Sequence, residues 1–248
     1  MRTANPALNS NTFTETSYAT AGRETMSIQG TVNRTALLLI LLLLPAIWVW
    51  NLFFSSGSMH TVYPYIIGGA VGGLIVAVVT VFRKPWAPVT APVYALLEGA
   101  FLGGISAVFE AQYPGIVIQA VFLTFGTLFG LLAVYRSGLI KVTENFKLGV
   151  AAATGGIFFV YILTWILGFF GIQMPFIHSS GLMGIGFSLF VIIIAAMNLV
   201  LDFDFIESGA EQGAPRYMEW YASFGLLVTL VWLYLEILRL LAKLASRR

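Results

Sequence analysis

Seven apolar runs constrain this chain more than any other feature. They occupy 35–54, 63–82, 93–109, 116–135, 149–171 and 181–206, with a last run ending near Lys243. A bilayer's hydrocarbon core takes about 20 residues of helix to cross and tolerates no unpaired backbone, so runs of this kind fold as spanning helices. The expected fold is therefore all-α, a polytopic membrane protein built as a seven-transmembrane-helix bundle. The 248 residues leave no room for a further soluble domain.

The charge inventory agrees and narrows the function. Charged residues make up 10% of the chain and hydrophobic ones 58%, against roughly 25% charged in soluble domains. The net charge is only +2 and the bases sit between apolar runs, so nucleic acid is not an expected partner. With no cysteine, disulfides, thiolate metal sites and cysteine nucleophiles are excluded. His60 and His178 fall in connectors and belong to no HExxH or triad-like pattern. GxGD and GxS-plus-histidine patterns of intramembrane proteases are also missing, so no enzymatic activity is expected.

Residues 1–33 are rich in Thr, Ser and Asn without apolar periodicity and read as a flexible tail, with 34–248 as the transmembrane domain. The first run follows Arg34, is too long for a secretory signal, and ends on the interfacial aromatics Trp48, Trp50 and Phe53. Arg2, Arg23 and Arg34 precede it. Arg83 and Lys84 lie in the second connector, and Arg136, Lys141 and Lys147 in the fourth. By the positive-inside rule the N-terminus is cytoplasmic; the expected location is the cell (inner) membrane, as a multi-pass protein. Seven spans then put the C-terminus outside, against the bases Arg239, Lys243, Arg247 and Arg248; a last segment that dips in and returns is the alternative. Gly68, Gly69, Gly72 and Gly73, Gly99 and Gly103, and Gly155 and Gly156 suit close helix packing.

The acids inside apolar runs are the functional suspects, because an ionised carboxylate in lipid is costly unless it faces a partner, a water path or the bundle interior. Glu98 lies five residues into the third run, about 8 Å deep. Asp202 and Asp204 sit near the end of the sixth, about 200° apart around the helix, so at most one faces a given surface. Glu236 lies in the last run, with Arg239 three residues on and Lys243 seven on. A local Glu236–Arg239 pair is one reading and a site role the other. Asp204 and Glu207 suit the interface, whereas Glu98 and Asp202 suit binding of a proton or cation.

The segments 200–206 (Val-Leu-Asp-Phe-Asp-Phe-Ile) and 233–238 (Leu-Tyr-Leu-Glu-Ile-Leu) resemble the last two helices of the transmembrane Bax-inhibitor-motif family. Tyr94-Ala-Leu-Leu-Glu-Gly99 is similar to its acidic third helix, and Asn5-Pro-Ala-Leu-Asn9 to the start of a bacterial branch. The resemblance implies six helices around a central last one and a pH-sensitive calcium leak, latched by two acids that share a proton. These fall on Asp202 and Glu236, which would also hold Ca2+ in transit; Glu98 and Asp204 are further candidates along the ion pathway. No resident cofactor is implied, and the partners are the lipid bilayer, calcium ions and protons. The second acid is Glu where the family pattern has Asp, and the interval is long. For continuous helices turning at Gly213, the two acids differ by about 18 Å in axial level. A separate interfacial helix over 216–224, with the last span starting near Gly225, narrows that gap, and Glu98 is the alternative partner for Asp202.

The expected function is thus a calcium leak gated by protonation of buried carboxylates. The alternative is a non-conducting regulator that binds a membrane protease or other membrane-protein partner. Proton-coupled transport would require broken helices at midplane, for which Pro45 and the glycines of the second run are the places.

Overall fold

The computed structural model describes residues 25–171 and 180–247. Seven helices among them are long and apolar enough to cross a membrane: α1 (Ile28–Ser56), α2 (Met59–Phe82), α3 (Ala87–Gln112), α4 (Ile116–Arg136), α5 (Glu144–Phe169), α6 (Leu182–Glu211) and α7 (Met218–Ala245). A 3-10 turn, Lys84–Trp86, leads into α3. There is no β-strand among the described residues, only an isolated bridge between Thr25 and Pro215. Pro45 lies inside a continuous α1 and the glycines of α2 inside a continuous α2, so the breaks a midplane solute pocket would use are not there.

Two helix starts differ from the sequence expectation. α1 begins at Ile28, seven residues ahead of the first apolar run. Ser27 caps it, its Oγ accepting from the Gly30 N–H at 2.9 Å, and the Met26 N–H donates to the Ala214 carbonyl at 2.6 Å. Thr25 to Asn33 therefore belong to the folded chain; 1–24 lie outside the described residues. α7 begins at Met218 and runs unbroken for 28 residues, so 216–224 is not a separate interfacial helix and the last segment does not dip and return. Gly213 makes the preceding turn at φ 64, a left-handed conformation that a side chain would strain.

The described residues form two compact units. One holds α1, α2, α3, the α6–α7 connector and the start of α7. Its contacts run in regular ladders. A Cβ on Gly99 would strike the Leu42 carbonyl and one on Gly103 the Ala46 carbonyl, a constant offset that makes α1 and α3 parallel. A Cβ on Gly69 would lie 2.5 Å from the Leu97 carbonyl, so α2 is equally close to α3. These glycines let backbones touch, as expected. Gly68, Gly155 and Gly156 differ, having nothing within 4 Å of an added Cβ. Val49, Val62 and Ile66 fill this unit's core.

The other unit holds α4, α5, α6 through Asp204, and α7 from Thr229. Its core is Ile157, Val191 and Ile194, with Trp232 against them. α7 is the most enclosed helix: 61% of its apolar window is buried, against 12–50% for the other six. Lipid-facing residues such as Leu44, Leu74, Phe122 and Phe158 are more than half exposed, as membrane helices require.

Candidate functional site

Helical spacing places three polar faces together in the second unit. On α5, Lys147, Thr154 and Tyr161 follow one another at seven-residue intervals; on α6, Asp202, Asn198, Ser188 and Gly184 fall within about 80° of one face. On α7, Glu236, Arg239 and Lys243 do the same, with Ser246 just past its end. The faces meet in a file of polar contacts.

At one end Lys147 Nζ binds Asp204 Oδ2 at 2.9 Å and Glu144 Oε1 at 3.5 Å. Lys147 is 3% exposed. The sequence had it as a connector base; it is a buried counter-ion within α5, and Asp204 is held by it. Asp202, 2% exposed, lies at this end and has polar interactions of its own. One turn along α6, Asn198 Nδ2 donates to Thr154 Oγ1 at 2.8 Å and to the Ile194 carbonyl at 2.9 Å.

Level with the Ile157–Val191–Ile194 cluster lies Glu236, 1% exposed. Its Oε2 accepts from Tyr161 OH at 3.1 Å and from Arg239 Nη1 at 2.8 Å, and Arg239 Nη1 also donates to Tyr161 OH at 2.7 Å. The phenol thus passes on to the carboxylate the hydrogen bond it receives from the guanidinium. Glu236 Oε1 is buried with no hydrogen-bond partner among the described residues. Further on, Lys243 Nζ donates to the Gly184 carbonyl and Ser188 Oγ, both at 2.9 Å. Ser180 and Ser246 hydroxyls close the file at 2.7 Å.

These contacts fix the register and correct the expected latch. With Lys243 opposite 184–188 in an antiparallel pair, Glu236 lies level with 191–195. Asp202 is then seven to eleven residues away, about 10 to 17 Å along the axis. The two acids share no hydrogen bond, and they cannot sit on one calcium ion, whose oxygen ligands lie at about 2.3–2.6 Å. The continuous α7 is the reason, since the later start that would have raised Glu236 toward Asp202 does not occur. No group of three or more His, Asp or Glu able to hold a metal occurs among the described residues.

In the unit with α1 to α3, Glu98 is 9% exposed and makes no hydrogen bond or ion pair among the described residues. A clasp that the sequence did not reveal lies nearby in the chain's fold. Glu219, 3% exposed, accepts from Ser27 N and Ser27 Oγ, each at 3.0 Å, and pairs with Arg34 Nη1 at 2.6 Å. Its carboxylate occupies the space a side chain on Gly30 would need. An acid in the first turn of α7 and at the N-terminus of α1 meets two favourable helix dipoles. The absence of a Cβ at Gly30 and Arg34 immediately before the first apolar run were the available signals, but only the fold pairs residues so far apart. His60 is exposed at the start of α2; His178 lies outside the described residues.

Fold and site define a multi-pass helical membrane protein with ionisable groups enclosed in its bundle. The chain belongs to the Bax inhibitor 1 like family, whose profile matches residues 5–246. No curated protein and no solved structure is significantly similar to it.

Proposed function

We propose that the protein is a calcium leak pathway of the membrane, set by protonation of buried carboxylates, with its path along the polar faces of α5, α6 and α7. The observation that carries this reading is the polar file itself. Asp204, Asp202 and Asn198 lie on one side of the Ile157–Val191–Ile194 cluster and Lys243 with Ser188 on the other, while Glu236 and Tyr161 stand beside it. Carboxylate, amide and hydroxyl oxygens suit a hard cation, and an apolar constriction between wet segments closes a pore by dewetting. The conformation described is accordingly the closed one. Asp202 is the gating acid, whose ionisation draws water to the constriction. Glu236 is held by Arg239 and Tyr161 beside the constriction. The loop bases favour a cytoplasmic N-terminus.

The test is calcium-indicator flux in proteoliposomes of the purified chain, measured across acidic to neutral pH. Asp202→Asn is expected to flatten the pH dependence and Glu236→Gln to lower the flux with its pH dependence retained. Absence of flux from the wild type overturns the leak, and an unchanged pH profile in Asp202→Asn overturns the gate.

A further inference from the structure

We propose that Glu98 is a proton-binding site of its own, a carboxylic acid carried neutral between α2 and α3 on a seat made by Gly73. This goes beyond the leak and rests on a different unit of the molecule.

The geometry of the seat comes first. Glu98 Oε2 lies 2.9 Å from where a Cβ on Gly73 would stand, so the carboxyl group occupies the volume that glycine leaves open. One turn earlier on α2, a Cβ on Gly69 would meet the Leu97 carbonyl at 2.5 Å, so the helices are too close there for a hydration shell. The side chain is 9% exposed and has no hydrogen-bond or ion-pair partner among the described residues. An ionised carboxylate is not retained in such a place without a counter-charge, whereas the neutral acid loses far less on leaving water.

The charged and titratable groups on the elements packed against Glu98 supply no counter-charge. α2 carries no Asp, Glu, Lys or Arg, and His60 is 13 residues from Gly73, about 20 Å along the helix. Arg83 and Lys84 follow α2 at about 15 Å or more from the level of Gly73. On α1, Arg34 is bound to Glu219; the Gly99–Leu42 pairing puts Glu98 level with residue 41, about 10 Å from Arg34 along the axis. Tyr94, one turn back on α3, packs edge-on against Phe224 with ring centroids 5.0 Å apart. That contact puts Glu98 near the level of residue 228 on α7, so Arg216, Tyr217, Glu219 and Tyr221 fall short by about 10 Å or more. Glu110 lies 12 residues further along α3, about 18 Å away. Proton release from Glu98 therefore requires α2 to draw back from α3, and proton occupancy reports on that contact.

Infrared spectroscopy of the full chain in lipid vesicles at neutral pH tests this without any transport measurement. The C=O stretch of a protonated carboxylic acid is expected in the wild type, and its Glu98 component is expected to be lost in Glu98→Gln while that of Asp202 stays, with the carboxylate band unchanged. Gly73→Ala, which wedges the seat open to water, is expected to diminish the same band. Loss of carboxylate absorption in Glu98→Gln, with the acid band intact, overturns the proposal. An acid band that survives Gly73→Ala at full strength overturns the role of the seat. Glu98→Gln is also expected to unfold at the wild-type denaturant concentration, since a neutral isostere replaces a neutral group.

Discussion

If Glu236 is a carboxylate clamped by Arg239 rather than half of a shared-proton latch, the two residues are energetically coupled, and a double-mutant cycle measures the coupling. Arg239→Met leaves Glu236, 1% exposed, with a neutral phenol as its partner. Breaking a buried ion pair from one side costs about 3–5 kcal/mol. The Arg239 side chain is 38% exposed, and solvent screening brings the expected cost down to about 2.5 kcal/mol. Glu236→Gln keeps an oxygen for Tyr161 and frees an arginine that can reach water, at about 1.5 kcal/mol. The double variant buries no charge, so its cost is about 2 kcal/mol and not the sum of about 4, giving a coupling near 2 kcal/mol. Reversible unfolding in mixed micelles with a denaturing detergent reads all four stabilities. Tyr161→Phe is the control, expected to cost about 1 kcal/mol for the lost hydroxyl. Additivity of the two single changes within about 0.5 kcal/mol would refute the clamp.

The apolar constriction makes a transport prediction: Ile194→Ser or Val191→Ser admits water between the two polar segments and speeds resting calcium efflux, and unchanged efflux in both removes the cluster as the gate. The glycine ladder predicts opposite signs at two positions in the same unfolding assay. Gly99→Ala drives a methyl group into the Leu42 carbonyl and costs about 1–3 kcal/mol, whereas Gly155→Ala meets nothing within 4 Å and gains up to about 1 kcal/mol in helix propensity; equal effects would contradict the ladder. Deleting 1–24 spares the Ser27 and Arg34 contacts to Glu219 and leaves flux and stability intact, while deleting 1–33 removes Ser27 and lowers stability measurably. Equal stability of the two truncations would count against the clasp.

The spans were legible because the bilayer imposes one length and one polarity on any segment that crosses it, and 116–135 and α4 agree almost to the residue. The ends were not, because polar partners far along the chain decide them. Ser27 and Arg34 look like tail residues until Glu219, 192 positions from Ser27, is seen between them. Lys147 looks like a connector base until Asp204 is found 2.9 Å away. Spacing did show that Glu236, Arg239 and Lys243 share a face, since that is a property of one helix. The level at which this face meets α6 is a property of two helices and their connector, and the sequence left it open.

That register decides what the acids can do. A connector from Gln212 to Tyr217 between two continuous helices offsets Asp202 and Glu236 by several turns, and shortening the gap would require α7 to begin later than Met218. Glu219 opposes this: moving the first turn of α7 would withdraw a buried carboxylate from Arg34 and Ser27, at a cost of about 3 kcal/mol or more. The clasp on α1 thus holds the start of α7. Within the other unit, Asp202 and Glu236 stand at different levels of α6 and α7 and cannot share a proton, but Asp202 can reach the apolar constriction from one end while Glu236 lies beside it.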